Sequence, residues 1–124
     1  GVDIRLDALA DARDAVMSAG TTPHLWCGDL TAYPLPASFF DLTVVVRYLQ
    51  RDLFPALAAA LRPGGILIYE TFTTEQLALG TGPRSPDHLL RLGELRNAFG
   101  TLSVEFYEEV AGPDALARLI ARAP

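Results

Sequence analysis

The sequence predicts an α/β fold built on a mostly parallel sheet, and three observations carry that prediction. Two runs, Val44-Val45-Val46 and Ile66-Leu67-Ile68-Tyr69, are apolar on both faces, as strands covered by helices on each side must be. Between them Leu53, Leu57, Ala60 and Leu61 recur at one-face helical spacing. That helix feeds the second strand through Pro63-Gly64-Gly65, which is half of a right-handed βαβ crossover.

Taken in order, Gly1–Ile4 is a strand stub, and Leu6, Leu9, Ala10, Val16 and Met17 fall at helical spacing up to Gly20. His24–Cys27 is a short strand closed by Gly28-Asp29, and Thr31–Ser38 is a proline-rich loop. Asp41–Leu49 is the first strongly apolar strand. Asp52 can cap the helix that follows, and Pro55 fits its first turn. Thr73–Gly93 reads as a loop, long enough that a functional role is expected of it. Glu94–Phe99 is a short helix and Leu102–Val110 alternates as a strand. Ala115–Ala123 is helical by composition but follows the turn at Gly112-Pro113-Asp114, so it is assigned as the return strand of an antiparallel hairpin.

The 124 residues suffice for one domain. Half are hydrophobic and a fifth charged, which is a globular composition. The net charge of −5 argues against a nucleic-acid partner. All ten basic residues are Arg, which reads as compositional bias. No apolar run has the length of a membrane span. Cys27 is the single cysteine, which fits a reducing cytoplasm, and with His24 and His88 far apart no metal-ligand spacing exists.

In open α/β sheets, ligands bind beyond the carboxyl ends of the strands. The residues there are Asp3, Asp29, then Arg47, Tyr48 and Gln50, then Glu70, Thr71 and Phe72. Asp3 can accept both hydroxyls of a ribose, or cap the helix after it. Asp29 can accept an adenine amine, or serve as the acid of a turn after Gly28. Trp26 and Cys27 are expected in the core, and His24 at the surface. Glu70 beside an apolar run needs a cleft or a partner.

These residues carry a resemblance. The ordered segments GVDI, CGDL, PLP, SFFDLTVVV and LRPGGILIYE resemble class I S-adenosylmethionine-dependent methyltransferases, over nearly the whole chain. Val45–Leu49, Tyr69–Phe72 and Pro86–Phe99 are similar to segments of the tellurite-resistance-type branch, with Leu92 departing from an expected Pro. The resemblance implies a Rossmann-like sheet with helices on both faces and a closing antiparallel hairpin. It implies S-adenosyl-L-methionine as cofactor and methyl transfer to a small-molecule acceptor. Asp3 and Ile4 then lie at the ribose, Asp29 and the Leu30 N–H at the adenine, and Arg47 at the methionyl end. Arg47, Tyr48, Glu70 and His88 are the candidates for work on the acceptor, with Thr71 beside them; Arg47 suits an anionic acceptor, and His88 or Glu70 a proton-losing one.

The family's first strand, its glycine-rich cofactor loop and its first helix have no counterpart here. The expectation is therefore an N-terminally incomplete domain, inactive alone, whose bare edge along Val44–Val46 is completed by a second copy, by a missing segment, or by a repaired sheet. Two rival functions remain: a non-catalytic fragment or degenerate subunit that binds a partner, and a nicotinamide-dependent oxidoreductase, which also places an acid after this strand.

Overall fold

A computed structural model describes residues 1–124, which form two compact units, Gly1–Pro34 and Leu35–Pro124. The first unit holds β1 (Val2–Asp3), α1 (Leu6–Ser18) and β2 (Trp26–Cys27). β1 and β2 pair in parallel, Val2 opposite Trp26 and Asp3 opposite Cys27. Helix α1 ends near Gly20, which takes a left-handed φ of 79°. Trp26 and Cys27 are exposed, contrary to the expectation of a core position, in a sheet of only two two-residue strands. The Trp26 ring instead meets Tyr33 edge-on at 5.8 Å and lies over Gly28, where a Cβ would stand 2.5 Å from the indole.

The second unit holds β3 (Phe40–Val46), α2 (Phe54–Ala60), β4 (Leu61–Phe72), α3 (Gln76–Leu79), α4 (Glu94–Ala98), β5 (Ser103–Ala111) and β6 (Ala115–Arg122). Its sheet runs in the order β3-β4-β6-β5. β3 and β4 are parallel, and β6 is antiparallel to both β4 and β5, so β6 alone runs against the other three. The hairpin assigned to the C-terminal segment is present.

Leu53, Leu57, Ala60 and Leu61 are all buried, as their spacing requires. The helix is shorter than its pattern, however. Arg51–Leu53 is a 3-10 turn, and Leu61 is already extended at ψ 139°. Asp52 does not cap it; neither helical segment has a side-chain cap, and Pro55 lies in the first turn of α2 as expected. Pairing jumps from Phe40–Leu61 to Leu42–Ile66, so Arg62–Gly65 bulges out of β4. Gly64 supplies the left-handed residue there, at φ 77°. Gly65 admits no side chain, since a Cβ would come 2.9 Å from the Arg62 carbonyl and 3.0 Å from that of Phe40.

The core lies on one face of this sheet. Leu67, Tyr69, Thr71, Ala117, Leu119 and Ala121 alternate onto it and are buried. Phe54 of α2, Tyr69 of β4 and Phe99 after α4 form an aromatic triangle with centroid distances of 5.2 to 6.0 Å. On the other face Val44 and Val46 are 54% and 56% exposed, where burial on both sides was expected. β3 is the edge strand of this unit's sheet, and no strand of the unit pairs with its outer edge.

The segment expected to be a bare loop after Thr73 is better ordered than its composition suggests. It contains α3, a 3-10 turn at Pro86–His88 capped by the Ser85 hydroxyl, and a parallel bridge between Thr73 and Leu90. Gln76 is 0% exposed and ties α3 to two places. Its Nε2 donates to the Thr81 carbonyl at 3.0 Å, and its Oε1 accepts the Ala115 N–H at 2.7 Å.

Candidate functional site

In the first unit, both carboxylates follow directly on the paired strand ends. The Asp3 carbonyl accepts the Gly28 N–H at 3.1 Å, which draws the residues after β1 and β2 together. Asp3 Oδ1 accepts the Arg5 N–H at 2.8 Å, ahead of α1. Asp29 Oδ1 accepts both the Thr31 N–H at 2.8 Å and the Thr31 hydroxyl at 2.6 Å. These two bonds favour the charged form and hold the Asp29 carboxyl below its ordinary value. Asp29 thus performs the turn role open to it, whereas Asp3 does not cap α1, whose N-cap is Arg5 with no side-chain cap, and instead closes the turn before it; each keeps its Oδ2 without a partner in the chain. The Leu30 N–H donates to no group in the chain. The Ile4 side chain is exposed, and its carbonyl accepts the Cys27 thiol at 3.5 Å.

In the second unit the candidates gather where β3 and β4 end. A cavity of about 290 Å³ is lined by Arg47, Tyr48, Thr71 and His88, with apolar walls from Leu49, Phe72 and Pro83. Arg47 adopts φ 52°, a left-handed conformation that costs a side-chain-bearing residue about 1–2 kcal/mol. Its N–H donates to the Glu70 carbonyl at 2.8 Å. Its guanidinium lies over the Phe72 ring at 5.1 Å and donates to Asp114 Oδ2 at 2.7 Å. Strand and hairpin therefore hold the side chain in place while the backbone turns sharply.

Tyr48 donates its hydroxyl to Gln50 Oε1, and its carbonyl accepts the hydroxyl of buried Tyr69 at 2.8 Å. Burial pushes the Tyr69 phenol well above its ordinary value, so it stays a donor. His88 sits exposed on the 3-10 turn.

Glu70 does not join this cavity. It precedes Thr71 by one residue and so faces the opposite side of β4. There Glu70 Oε2 accepts from Arg118 Nε at 2.6 Å, and Arg118 Nη1 reaches Glu108 at 2.9 Å. The acid found its partner in β6, at a register position opposite it.

A larger depression of about 430 Å³ is lined by another set, including Arg51, Phe54, Leu92 and Glu94. Arg51 reaches Glu94 and the Leu89 carbonyl, so its charged groups satisfy one another. No group of three or more His, Cys, Asp or Glu side chains is placed to hold a metal ion. No helix is long and apolar enough to cross a membrane.

Sequence reasoning missed Gln76 and the particular value of Thr71. A polar residue in a segment without periodicity carries no burial signal, so Gln76 was out of reach. Thr71 differs from Glu70 by parity along β4, which the sequence alone does not fix.

No family model matches the chain, and no curated protein matches it by sequence. Solved structures do match it in fold. TehB from Haemophilus influenzae superposes with a TM-score of 0.78 at 12% identity, over 99% of this chain and 49% of that one. The [4+2]-cyclase SpnF gives 0.75 at 17%, over 100% and 65%. The N-methyltransferase NodS from Bradyrhizobium japonicum WM9, in complex with S-adenosyl-L-homocysteine, gives 0.71 at 16%, over 99% and 65%. The chain thus spans about half to two thirds of the length of these neighbours. The fold is that of the Rossmann-like methyltransferase structures, hairpin included. A cyclase among the neighbours is a reminder that the fold leaves the chemistry open.

Proposed function

We propose that the chain is part of an S-adenosylmethionine-dependent methyltransferase acting on a small-molecule acceptor. The observation that carries the reading is the pair of strand-end aspartates, each with a carboxylate oxygen unclaimed by the chain, on the fold that TehB and NodS share. The donor set fits the cofactor. Asp3 Oδ2 would accept from ribose hydroxyls, Asp29 Oδ2 from the adenine amine, and the Leu30 N–H would donate to the ring. Bound S-adenosylmethionine supplies an electrophilic methyl group on a sulfonium. The work left to the protein is alignment. Arg47 and Tyr48 orient the acceptor beyond β3, and His88 takes a proton from an acceptor that must lose one. Glu70, bound to Arg118, is the weaker base.

The tellurite-resistance-type branch is the finer reading. Its support is that the segments similar to that branch, Val45–Leu49, Tyr69–Phe72 and Pro86–Phe99, contribute six of the seven residues lining the cavity, all but Pro83. Completion of the fold at the open edge of β3 by another strand, from a second copy or a further segment, belongs to the same reading, as does a cytoplasmic setting for the lone Cys27. Calorimetric titration with S-adenosyl-L-homocysteine and with NADH tests the assignment. Binding of the former alone is expected; binding of NADH alone would favour an oxidoreductase, and binding of neither a non-catalytic module. In the completed methyltransferase, Tyr48→Ala should then lose product formation while keeping cofactor affinity, and unchanged turnover would remove Tyr48 from the site.

A further inference from the structure

We propose that the cavity beyond β3 and β4 binds a small organic anion with an apolar body, its charged group held by Arg47, Thr71 and His88. Four observations meet there. First, the lining contains an Arg and a His but no Asp or Glu, in a chain whose net charge is −5. Second, Thr71 lines the cavity and its hydroxyl makes no hydrogen bond within the chain, while the atom itself is not sealed off from the cavity. A hydroxyl open to the cavity can donate to a ligand acceptor atom there.

Third, Arg47 is held in a left-handed conformation, the kind of strain that persists where surrounding structure fixes a functional side chain. Its contact with Asp114 uses one amino group, and its remaining guanidinium N–H groups have no acceptor in the chain. They are free to make the charge-assisted bonds a carboxylate or similar anion accepts. Fourth, Leu49, Phe72 and Pro83 give the cavity apolar walls, and its volume of about 290 Å³ exceeds what an inorganic oxyanion fills. The acceptor class is thereby an acid such as an aryl or alkyl carboxylate. Only the role of this ligand as methyl acceptor rests on the reading above; its binding does not.

The test is a titration of the ¹⁵N-labelled protein with benzoate, with benzamide as the neutral isostere, and with inorganic phosphate. Saturable shifts at Arg47, Thr71 and His88 are expected with benzoate, and binding about tenfold weaker or worse with the other two. Thr71→Val, which keeps the shape and removes the hydroxyl, should weaken benzoate several-fold, and Arg47→Gln should erase the preference over benzamide. Equal affinity for benzoate and benzamide, tighter binding of phosphate, no binding of benzoate at millimolar concentration, or a preference that survives Arg47→Gln overturns the proposal. Benzoate shifts without any S-adenosyl-L-homocysteine binding would sink the methyl-transfer reading and leave this site standing.

Discussion

Replacing Gln76 by Leu removes two tethers at once while keeping a side chain of similar size. The Ala115 N–H loses its acceptor at the start of β6, and the Thr81 carbonyl loses its donor. Gln76 is fully buried, so water does not substitute. An orphaned buried N–H costs about 1–3 kcal/mol, and the second bond adds roughly 1 kcal/mol, which together give about 2–4 kcal/mol. For a chain of this length that corresponds to a fall in Tm of about 8–16 °C. Urea unfolding followed by far-UV circular dichroism measures it directly, with the midpoint falling at constant m. Fluorescence of the single Trp26 is unsuitable, because Trp26 belongs to the first unit. Gln76→Glu should be no gentler at neutral pH, since it sets a second acceptor against the Thr81 carbonyl. A Leu variant within about 0.5 kcal/mol of the parent would refute the reasoning, because surface substitutions that touch nothing do as little.

Four further outcomes follow from the geometry. Gly65→Ala should cost about 1–3 kcal/mol, because its Cβ would press on the backbone carbonyls of Arg62 and Phe40. Gly64→Ala, with open space around it but φ 77°, should cost about 1 kcal/mol by the same urea assay. Arg51 holds the Glu94 carboxyl below its ordinary value of 4.5. A depressed folded value means the stabilisation is complete above the unfolded value and disappears as pH falls through the folded one. Glu94→Gln should therefore lower the urea midpoint at pH 7, and the gap to the parent should shrink as pH falls below 4.5; a gap independent of pH would exclude the ion pair as the cause. Val44→Lys places a charge on the open edge of β3 and should abolish concentration-dependent association measured by light scattering. Association that persists in this variant would assign it to another surface.

Much of the second unit was legible because its elements obey simple periods. Leu53, Leu57 and Ala60 repeat every third or fourth residue, and Gly64-Gly65 marks the break that follows. Ala115–Arg122 shows the limit of that logic: its Ala, Leu and Arg favour a helix, and the turn at Gly112-Pro113-Asp114 together with the resemblance decided for a strand. Pairing with both β4 and β5 overrides the propensity. Val44 and Val46 misled for a different reason. An apolar run reports what a strand could bury, not what the described chain supplies to cover it.

The candidate site was legible in its residues and not in its bonds. Asp3, Asp29, Arg47 and Tyr48 could be named from strand ends alone, whereas His88 came from the loop after Thr73. That Glu70 faces Arg118 while Thr71 faces the cavity depends on a parity that no strand boundary fixes closely enough in sequence. The left-handed turn at Arg47 had no signal, since Arg is not a residue that prefers it.

The central claim is that the unclaimed oxygens of Asp3 and Asp29 hold one adenosine. Titration of ¹⁵N-labelled protein with S-adenosyl-L-homocysteine tests it most directly, in the parent and in Asp3→Ala and Asp29→Ala. The account predicts saturable shifts at residues 3–5 and 29–31, and affinity about tenfold or more weaker in each variant. Shifts confined to other residues, or variants that bind as the parent does, would contradict it.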